Sequence, residues 1–179
     1  MSAPESNNDR PVPTGTSARG CIALVGNPNT GKTTLFNRLC GLRARTANLP
    51  GSTIEAHIGS WNASGTECQL VDLPGIYGLG LDRPESRVCR EYLDGSHSRF
   101  PDAECIIVVV DATNLRRNLL LASQVLELGK PVVVALNMID IARKRRLQID
   151  PEQLSRELGC PVVALSARRG DGIEALADA

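Results

Sequence analysis

The stretch Gly26-Asn27-Pro28-Asn29-Thr30-Gly31-Lys32-Thr33 fits the pattern G-x-x-x-x-G-K-[ST]. In such a loop the backbone N–H groups curl around phosphate oxygens, and glycine lets the main chain approach where a Cβ would collide. Lys32 can place its ammonium between the outer phosphates, and Thr33 can offer its hydroxyl to a magnesium ion. A Gly-rich turn without a ligand is the plain alternative. It is disfavoured because an apolar run, Cys21–Val25, precedes the loop and a helical pattern follows it. The loop therefore predicts binding of a nucleoside triphosphate.

Composition limits the class of protein. The chain has 179 residues, of which 42% are hydrophobic and 3% aromatic, so one domain with an aliphatic core is expected. Twenty basic and twenty acidic residues cancel, which argues against a global field that gathers nucleic acid or an anionic membrane. We predict a disordered tail over residues 1–19, which are rich in Ser, Pro and Asn, and one nucleotide-binding domain over 20–179. The six cysteines contain no C-x-x-C pair and are predicted to be buried, reduced thiols.

The order of apolar runs predicts an α/β fold. Continuous apolar runs at 105–110 and 131–136 are typical of strands buried on both faces, and a helical pattern at 115–128 separates them. Further strands are predicted at 21–25, 55–61, 67–71 and 161–165, and further helices at 32–39, 84–93, 151–158 and 172–179. Residues 41–53 are predicted to form a loop over the phosphate site. The expected architecture is a six-stranded, mostly parallel sheet with one antiparallel strand and helices on both faces.

Three more motifs follow predicted strands and point to the base. Asp72-Leu73-Pro74-Gly75 can hold magnesium through Asp72 and meet a terminal phosphate with the Gly75 amide. In Asn137-Met138-Ile139-Asp140, the carboxylate of Asp140 can accept both the N1–H and the exocyclic amine of guanine, an arrangement that adenine lacks. Ser166-Ala167 follows the last strand, with the Ala167 amide expected to reach the guanine O6. The predicted nucleotide is therefore GTP or GDP.

These elements in this order resemble the small-GTPase (P-loop) fold, and further stretches narrow the resemblance. They are Asn-Pro-Asn within the loop at 26–33, Leu49-Pro50-Gly51-Ser52-Thr53-Ile54-Glu55, Asp72-Leu73-Pro74-Gly75-Ile76-Tyr77, Asp111-Ala112-Thr113-Asn114-Leu115-Arg116-Arg117-Asn118-Leu119, and Asn137-Met138-Ile139-Asp140. Together they look like the cytosolic G domain of the bacterial ferrous iron transporter family, FeoB, over about residues 20–179.

The resemblance implies a set of site residues. Nucleotide contacts would come from Asn27, Pro28, Asn29, Thr30, Gly31, Lys32, Thr33, Thr34, Asp72, Gly75, Asn137, Met138, Asp140, Ser166, Ala167 and Arg168. Magnesium would be held by Thr33, Thr53 and Asp72. A stimulating potassium ion would be held by Asn29, and Lys32, Asn29, Thr53 and Gly75 would serve catalysis.

Ile76 stands where many GTPases carry a glutamine that orients water. An isoleucine cannot orient water by hydrogen bonding, so slow intrinsic GTP hydrolysis is expected. A packing role is the plain alternative for Ile76.

The resemblance also implies partners and a location. The family continues into a helical regulatory domain and a membrane iron channel, so the chain is expected to be a truncated G domain that regulates ferrous iron transport at the cytoplasmic face of the bacterial inner membrane. Formation of a homo-oligomer stays possible, and no nucleic-acid partner is expected. Two alternatives remain: an RNA-associated GTPase of the ribosome-assembly or tRNA-modification type, although Met138 replaces its usual lysine, and a GDP-binding module that does not hydrolyse GTP.

Overall fold

A single sheet of seven strands runs through the chain. A computed structural model describes residues 20–41, 44–49, 52–96 and 101–179, and the predicted tail at 1–19 lies outside these residues. The strands are β1 (Cys21–Gly26), β2 (Ala44–Asn48), β3 (Glu55–Ala63), β4 (Thr66–Asp72), β5 (Cys105–Asp111), β6 (Val132–Asn137) and β7 (Val162–Ala164). The helices are α1 (Lys32–Cys40), α2 (Pro84–Asp94), α3 (Leu115–Leu126), α4 (Ile139–Lys144), α5 (Pro151–Leu158) and α6 (Ile173–Asp178), with a short 3₁₀ turn at Ala112–Asn114.

The strand order is β2-β3-β4-β1-β5-β6-β7. β1 pairs in parallel with β4 and β5, and β6 pairs in parallel with β5 and β7. β3 is antiparallel to both of its neighbours, so it is the one strand of the described sheet that runs against the rest. This confirms the α/β class, the mostly parallel sheet and the single antiparallel strand. The carboxyl ends of the parallel strands meet at one edge, where ligands bind in open α/β sheets.

The prediction of six strands was wrong, because β2 lies within the segment expected to be a loop. Its sequence, Ala44-Arg45-Thr46-Ala47-Asn48, lacks apolar alternation, and most of its side chains are exposed. The strand forms through backbone pairing with β3, in a register that places Ala44 opposite Gly59 and Asn48 opposite Glu55. Residues 42–43 and 50–51 of the predicted loop lie outside the described residues. A strand that depends on its neighbour's backbone leaves little trace in its own side chains.

Helix boundaries follow local chemistry where the sequence supplies it. Asp150 precedes α5 and its side chain accepts hydrogen bonds from the backbone N–H groups of Glu152 and Gln153, both at 3.0 Å. Pro151 occupies the first helical position, and Gly159 ends the helix with a φ of 70°. This confirms the predicted start and end of α5. The short helix α4 was not predicted.

Apolar side chains fill both faces of the sheet. Along β5, Ile106, Val108 and Val110 join the layer formed with α2, α3, α4 and α5. Ile107 and Val109 point the other way and join the layer formed with α1 and α6. The continuous apolar run of β5 is thus explained by helices on both sides of the strand. None of the helices that the structure describes is long and apolar enough to cross a membrane.

The cysteines belong to these layers. Five of them are buried, Cys105 is half-buried, and all six thiols are free. Burial raises the pKa of the Cys89 thiol to about 12 and that of Cys40 to about 11. Both thiols therefore remain protonated at neutral pH and behave as small apolar groups, as the sequence predicted.

We expect Gly59→Ala to destabilise the fold. A Cβ at Gly59 on β3 would lie 2.5 Å from the Cys40 Sγ and 2.7 Å from the Cys40 Cβ on α1. Overpacking of this kind costs about 1–3 kcal/mol of unfolding free energy. Urea denaturation would measure the loss. Gly80→Ala is the matched control, because a Cβ there meets nothing within 4 Å. Equal stability of the two variants would contradict the packing of β3 against α1.

Candidate functional site

The Gly-rich loop joins the carboxyl end of β1 to the first turn of α1. Asn29 and Gly31 adopt left-handed conformations, with φ values of 67° and 79°. A Cβ at Gly31 would collide with the side-chain amide of Asn137, and one at Gly26 would lie 2.7 Å from the Val109 carbonyl oxygen. We expected these glycines to serve the approach to phosphate. The protein around the loop already requires them, because neighbouring atoms leave no room for a side chain.

A cavity of about 510 Å³ opens over this loop. It is lined by Asn27, Pro28, Asn29, Gly31, Lys32, Thr33, Thr34, Gly75 and Met138, all of which belong to the predicted nucleotide-binding set. The N-terminus of α1 faces it, where free N–H groups and the helix dipole favour an anion. The volume lies in the range that holds small-molecule ligands.

A buried ion pair lies beneath the cavity. The Lys32 ammonium donates hydrogen bonds to the Asp72 carboxylate and to the Leu73 carbonyl oxygen. The two charged side chains are 8% and 5% exposed, so each charge depends on the other for compensation. In this arrangement the Lys32 ammonium is held by Asp72 and by the Leu73 carbonyl oxygen, while Lys32 also lines the cavity.

The residues predicted for magnesium are only partly brought together. The Thr33 hydroxyl donates to the second carboxylate oxygen of Asp72 at 3.3 Å. Hydroxyl and carboxylate oxygens are ligands that Mg²⁺ prefers, so this pair fits the ion. Thr53 is exposed, and no contact among the described residues joins it to Thr33.

The glycine of the D-x-x-G motif packs directly on the Gly-rich loop. A Cβ at Gly75 would lie 3.2 Å from the Cα of Pro28, so a larger residue would push the two segments apart. The next residue, Ile76, is 3% exposed and donates its backbone N–H to the Gly26 carbonyl at 3.1 Å. Its side chain belongs to the apolar core, so Ile76 is a packing residue.

Asn137 connects the two ends of the site. Its Nδ2 donates to the Thr30 carbonyl at 2.8 Å, and its Oδ1 accepts the Ala167 N–H at 2.9 Å. The side chain is 3% exposed. One amide therefore joins the phosphate loop to the segment after β7. The N-x-x-D pattern predicts that Asn137 contacts the nucleotide, and it gives no separate signal for this structural contact.

The Ala167 amide has an acceptor within the protein. Its N–H donates to the Asn137 Oδ1, and its contact with the guanine O6 stays a prediction. Ala167 is 1% exposed, and a buried N–H takes the acceptor that is available to it. The neighbouring Ser166 is buried and its backbone turns back to Asp171, while Arg168 is exposed.

Asp140 is the carboxylate left available at the base end. It lies in the first turn of α4, which begins after Met138 in a left-handed conformation, φ 63°. Asp140 is partly buried, and among the described residues its carboxylate forms no hydrogen bond or ion pair. Asp111, in contrast, accepts hydrogen bonds from the Thr113 N–H and hydroxyl at 2.7 and 2.8 Å. Asp140 thus retains its full capacity to accept from a ligand.

Two contacts fasten the segment after β4 to α3. The Arg117 guanidinium lies over the Tyr77 ring, 4.4 Å from its centroid. The Leu79 N–H donates to the Gln124 Oε1 at 2.8 Å. The sequence predicts a Gly-rich loop here, but it does not predict that this loop packs on α3.

Arg38 is a further residue that the sequence did not single out. It lies near the end of α1 and donates from Nε to the Ala167 carbonyl at 3.0 Å and from Nη2 to the Arg168 carbonyl at 2.7 Å. In the sequence, Arg38 occupies a polar position of the α1 helical pattern, as exposed helix residues do. Only the folded structure therefore shows this contact.

The sheet order, the phosphate loop, the D-x-x-G segment and the N-x-x-D carboxylate define a G domain of the P-loop GTPase class. Residues 21–179 match the family of ferrous iron transport protein B, and the chain belongs to that family. The family resemblance and the fold are thereby confirmed, and the RNA-associated alternative is set aside.

Relatives of known identity agree with this assignment. The chain is 51% identical over 162 residues to the Fe(2+) transporter FeoB of Salmonella typhimurium, covering 87% of the chain and 20% of that protein. It is 49% identical to the FeoB of Escherichia coli K12 over the same share of each. The chain thus spans about a fifth of the length of the curated relatives it matches.

Solved structures show the same fold. The G domain of the T. maritima FeoB iron transporter is 38% identical with a TM-score of 0.80, and the match covers 90% of this chain and 96% of that one. A GDP-bound variant of the S. thermophilus FeoB G domain is 43% identical with a TM-score of 0.81, over 89% of this chain and 59% of that one.

Asn137→Ala should destabilise the protein even without nucleotide. The change leaves the Thr30 carbonyl and the Ala167 N–H buried without their partner, and each loss costs about 1–3 kcal/mol of unfolding free energy. Urea denaturation of the nucleotide-free chain would measure it. Asn114→Ala is the control, because Asn114 is exposed and its side chain does not cap α3. If the two variants unfold at the same urea concentration, Asn137 is not a structural tie.

Proposed function

We propose that this G domain binds GTP and GDP with Mg²⁺, hydrolyses GTP slowly, and thereby regulates ferrous iron transport by a longer protein. The observation that carries the proposal is a cavity lined by Lys32, Thr33 and Met138. Asp72 contacts both Lys32 and Thr33, and the available carboxylate of Asp140 lies two residues after Met138. The GDP-bound structures of the S. thermophilus relative support the same ligand class for this chain.

At the phosphate end, hydrolysis would follow in-line attack of water on the γ-phosphate. The loop N–H groups and the N-terminus of α1 bind phosphate oxygens, and the Lys32 ammonium moves from Asp72 to stabilise charge on the outer phosphates. Thr33 and Thr53 would hold magnesium directly and Asp72 through water. When bound, the ion neutralises charge on the β- and γ-phosphates. The Gly75 N–H would meet the γ-phosphate.

At the base end, Asp140 would accept the N1–H and the exocyclic amine of guanine. Adenine presents no such pair of donors, so it would leave a partly buried carboxylate without partners. A hydrogen bond to a charged group contributes about 1.5–3 kcal/mol, which corresponds to roughly a 10- to 150-fold preference.

Asp140→Ala should abolish the preference for guanine. We expect GTP affinity to fall about 10- to 150-fold while ATP affinity stays as weak as in the wild type. Competition against a fluorescent guanine nucleotide would measure both. Asp178→Ala, at the exposed end of α6, is the control. A wild-type protein that binds ATP as tightly as GTP would refute the guanine assignment.

Asn29 is the proposed potassium ligand. It is exposed, lines the cavity and holds a left-handed conformation that sets its side chain at the mouth of the phosphate loop. A monovalent cation there would supply the charge that an arginine finger supplies in other GTPases. The burial of Ile76 supports slow hydrolysis in the absence of such a cation, since no glutamine orients the water.

Asn29→Ala should remove most of the potassium stimulation. The expected result is a GTP hydrolysis rate in KCl equal to that in NaCl, because the carboxamide oxygen that would hold K⁺ is gone. Steady-state phosphate release in the two salts would measure it. Asn37→Ala, exposed on α1, should keep the wild-type ratio. Full stimulation in the Asn29 variant would contradict the potassium assignment.

The chain spans about a fifth of the length of its curated relatives, so we propose that its partners are other parts of a longer parent protein. The rest of the parent protein would supply a helical regulatory domain and a membrane iron channel, with residues 20–179 at the cytoplasmic face of the inner membrane. The description of the T. maritima structure as a cytosolic domain supports this placement. Segment 43–53, which contains β2, and segment 73–83 would report the nucleotide state to those parts.

A further inference from the structure

We propose that Arg38 is a positioning residue for the guanine-binding loop at 166–168 and that its contacts set how long GDP stays bound. The inference rests on the proposed function and adds a determinant that neither the phosphate motif nor the N-x-x-D motif contains. Its basis is the pair of hydrogen bonds from Arg38 to the Ala167 and Arg168 carbonyls, at 3.0 and 2.7 Å.

The contact links the two ends of the site through one helix. α1 begins at Lys32, beside the phosphate loop, and Arg38 lies six residues further along it, about 9 Å at the usual rise per residue. From there the Arg38 guanidinium reaches the guanine-binding loop at 166–168. Helix α1 therefore contacts the phosphate loop at its first turn and the guanine-binding loop near its last turn.

Among the described residues, apart from the bonds with Arg38 and Asn137, the hydrogen bonds of the guanine-binding loop lie within residues 166–171, and Ala167 is also buried in the layer formed with α1 and α6. Ser166 holds the loop in a turn by accepting the Gly170 N–H at 2.7 Å and by donating its own N–H to the Asp171 carbonyl at 3.0 Å. These bonds shape the loop internally. The Asn137 tie reaches the Ala167 N–H, and Arg38 reaches the carbonyl of the same residue. The Ala167 peptide groups are thus fixed from both sides.

Residue 170 also fits this arrangement. Gly170 has a φ of 91°, which L side chains rarely adopt, and a Cβ there would lie 3.4 Å from the Arg38 Nη1. The loop therefore leaves room for the guanidinium. The planar fork of arginine can serve two carbonyl oxygens at once, and a charged donor gives a stronger bond than a neutral one.

Release of GDP requires the loop to move away from the base. Because affinity differences among variants of one site lie mostly in the dissociation rate, loss of the Arg38 contacts should speed release more than it changes association. The side chain is exposed, and water screens part of the interaction. We therefore expect GDP to dissociate about tenfold faster from a variant without the donors.

The test measures dissociation of a fluorescent GDP analogue from Arg38→Met, chased with excess GDP in a stopped-flow instrument. Methionine keeps an apolar stem and removes every donor. The expected result is a dissociation rate about tenfold above wild type, with the association rate and the melting temperature of the nucleotide-free protein unchanged. Arg156→Gln, exposed on α5, is the control and should match wild type.

Arg38→Lys provides the second variant. It keeps the charge and loses the fork, so its dissociation rate should lie between those of wild type and Arg38→Met, and it serves as the test if the methionine variant does not fold. If the wild type binds the GDP analogue and both Arg38 variants release it at the wild-type rate, the role of Arg38 is overturned while the proposed function stands. A wild-type chain that binds no guanine nucleotide would overturn both this inference and the proposed function.

Discussion

The buried side-chain amide of Asn137 is the contact on which the site depends. Both of its polar atoms are used: the donor holds the phosphate loop at Thr30, and the acceptor holds the base segment at Ala167. Gly31 packs so closely against this amide that a side chain there would collide with it. A buried polar group with all partners satisfied rigidifies its surroundings. The phosphate end and the base end are therefore built around one side chain.

At the phosphate end, the buried Lys32–Asp72 ion pair determines how the lysine charge is compensated. The same ammonium that would stabilise phosphate charge is held in the described structure by a carboxylate and a carbonyl oxygen. A buried charge without compensation is costly, so loss of either partner would leave the other charge unpaired. Under the proposed function, phosphate oxygens would replace Asp72 as the partners of Lys32, and Asp72 and Thr33 would hold magnesium.

Some elements of the fold were predictable from the sequence and others were not. The strands β5 and β6 were predictable because an apolar run buried on both faces is visible in the residues themselves. β2 was not, because exposed residues form it through pairing with the β3 backbone. Among the candidate site residues, nine that the motifs predict line one cavity. Arg38 was missed because its partners are backbone carbonyls about 130 positions away.

The sequence by itself determined the fold class and the family, since local motif spacing and apolar periodicity carry both. Only the tertiary structure decided that Asn137 ties the site together, that Ala167 donates to it, that Ile76 belongs to the core and that Lys32 rests on Asp72. The physical reason is that these contacts join residues distant in the chain. Hydrogen-bond geometry and burial select them, and neither exists until the strands and helices have packed.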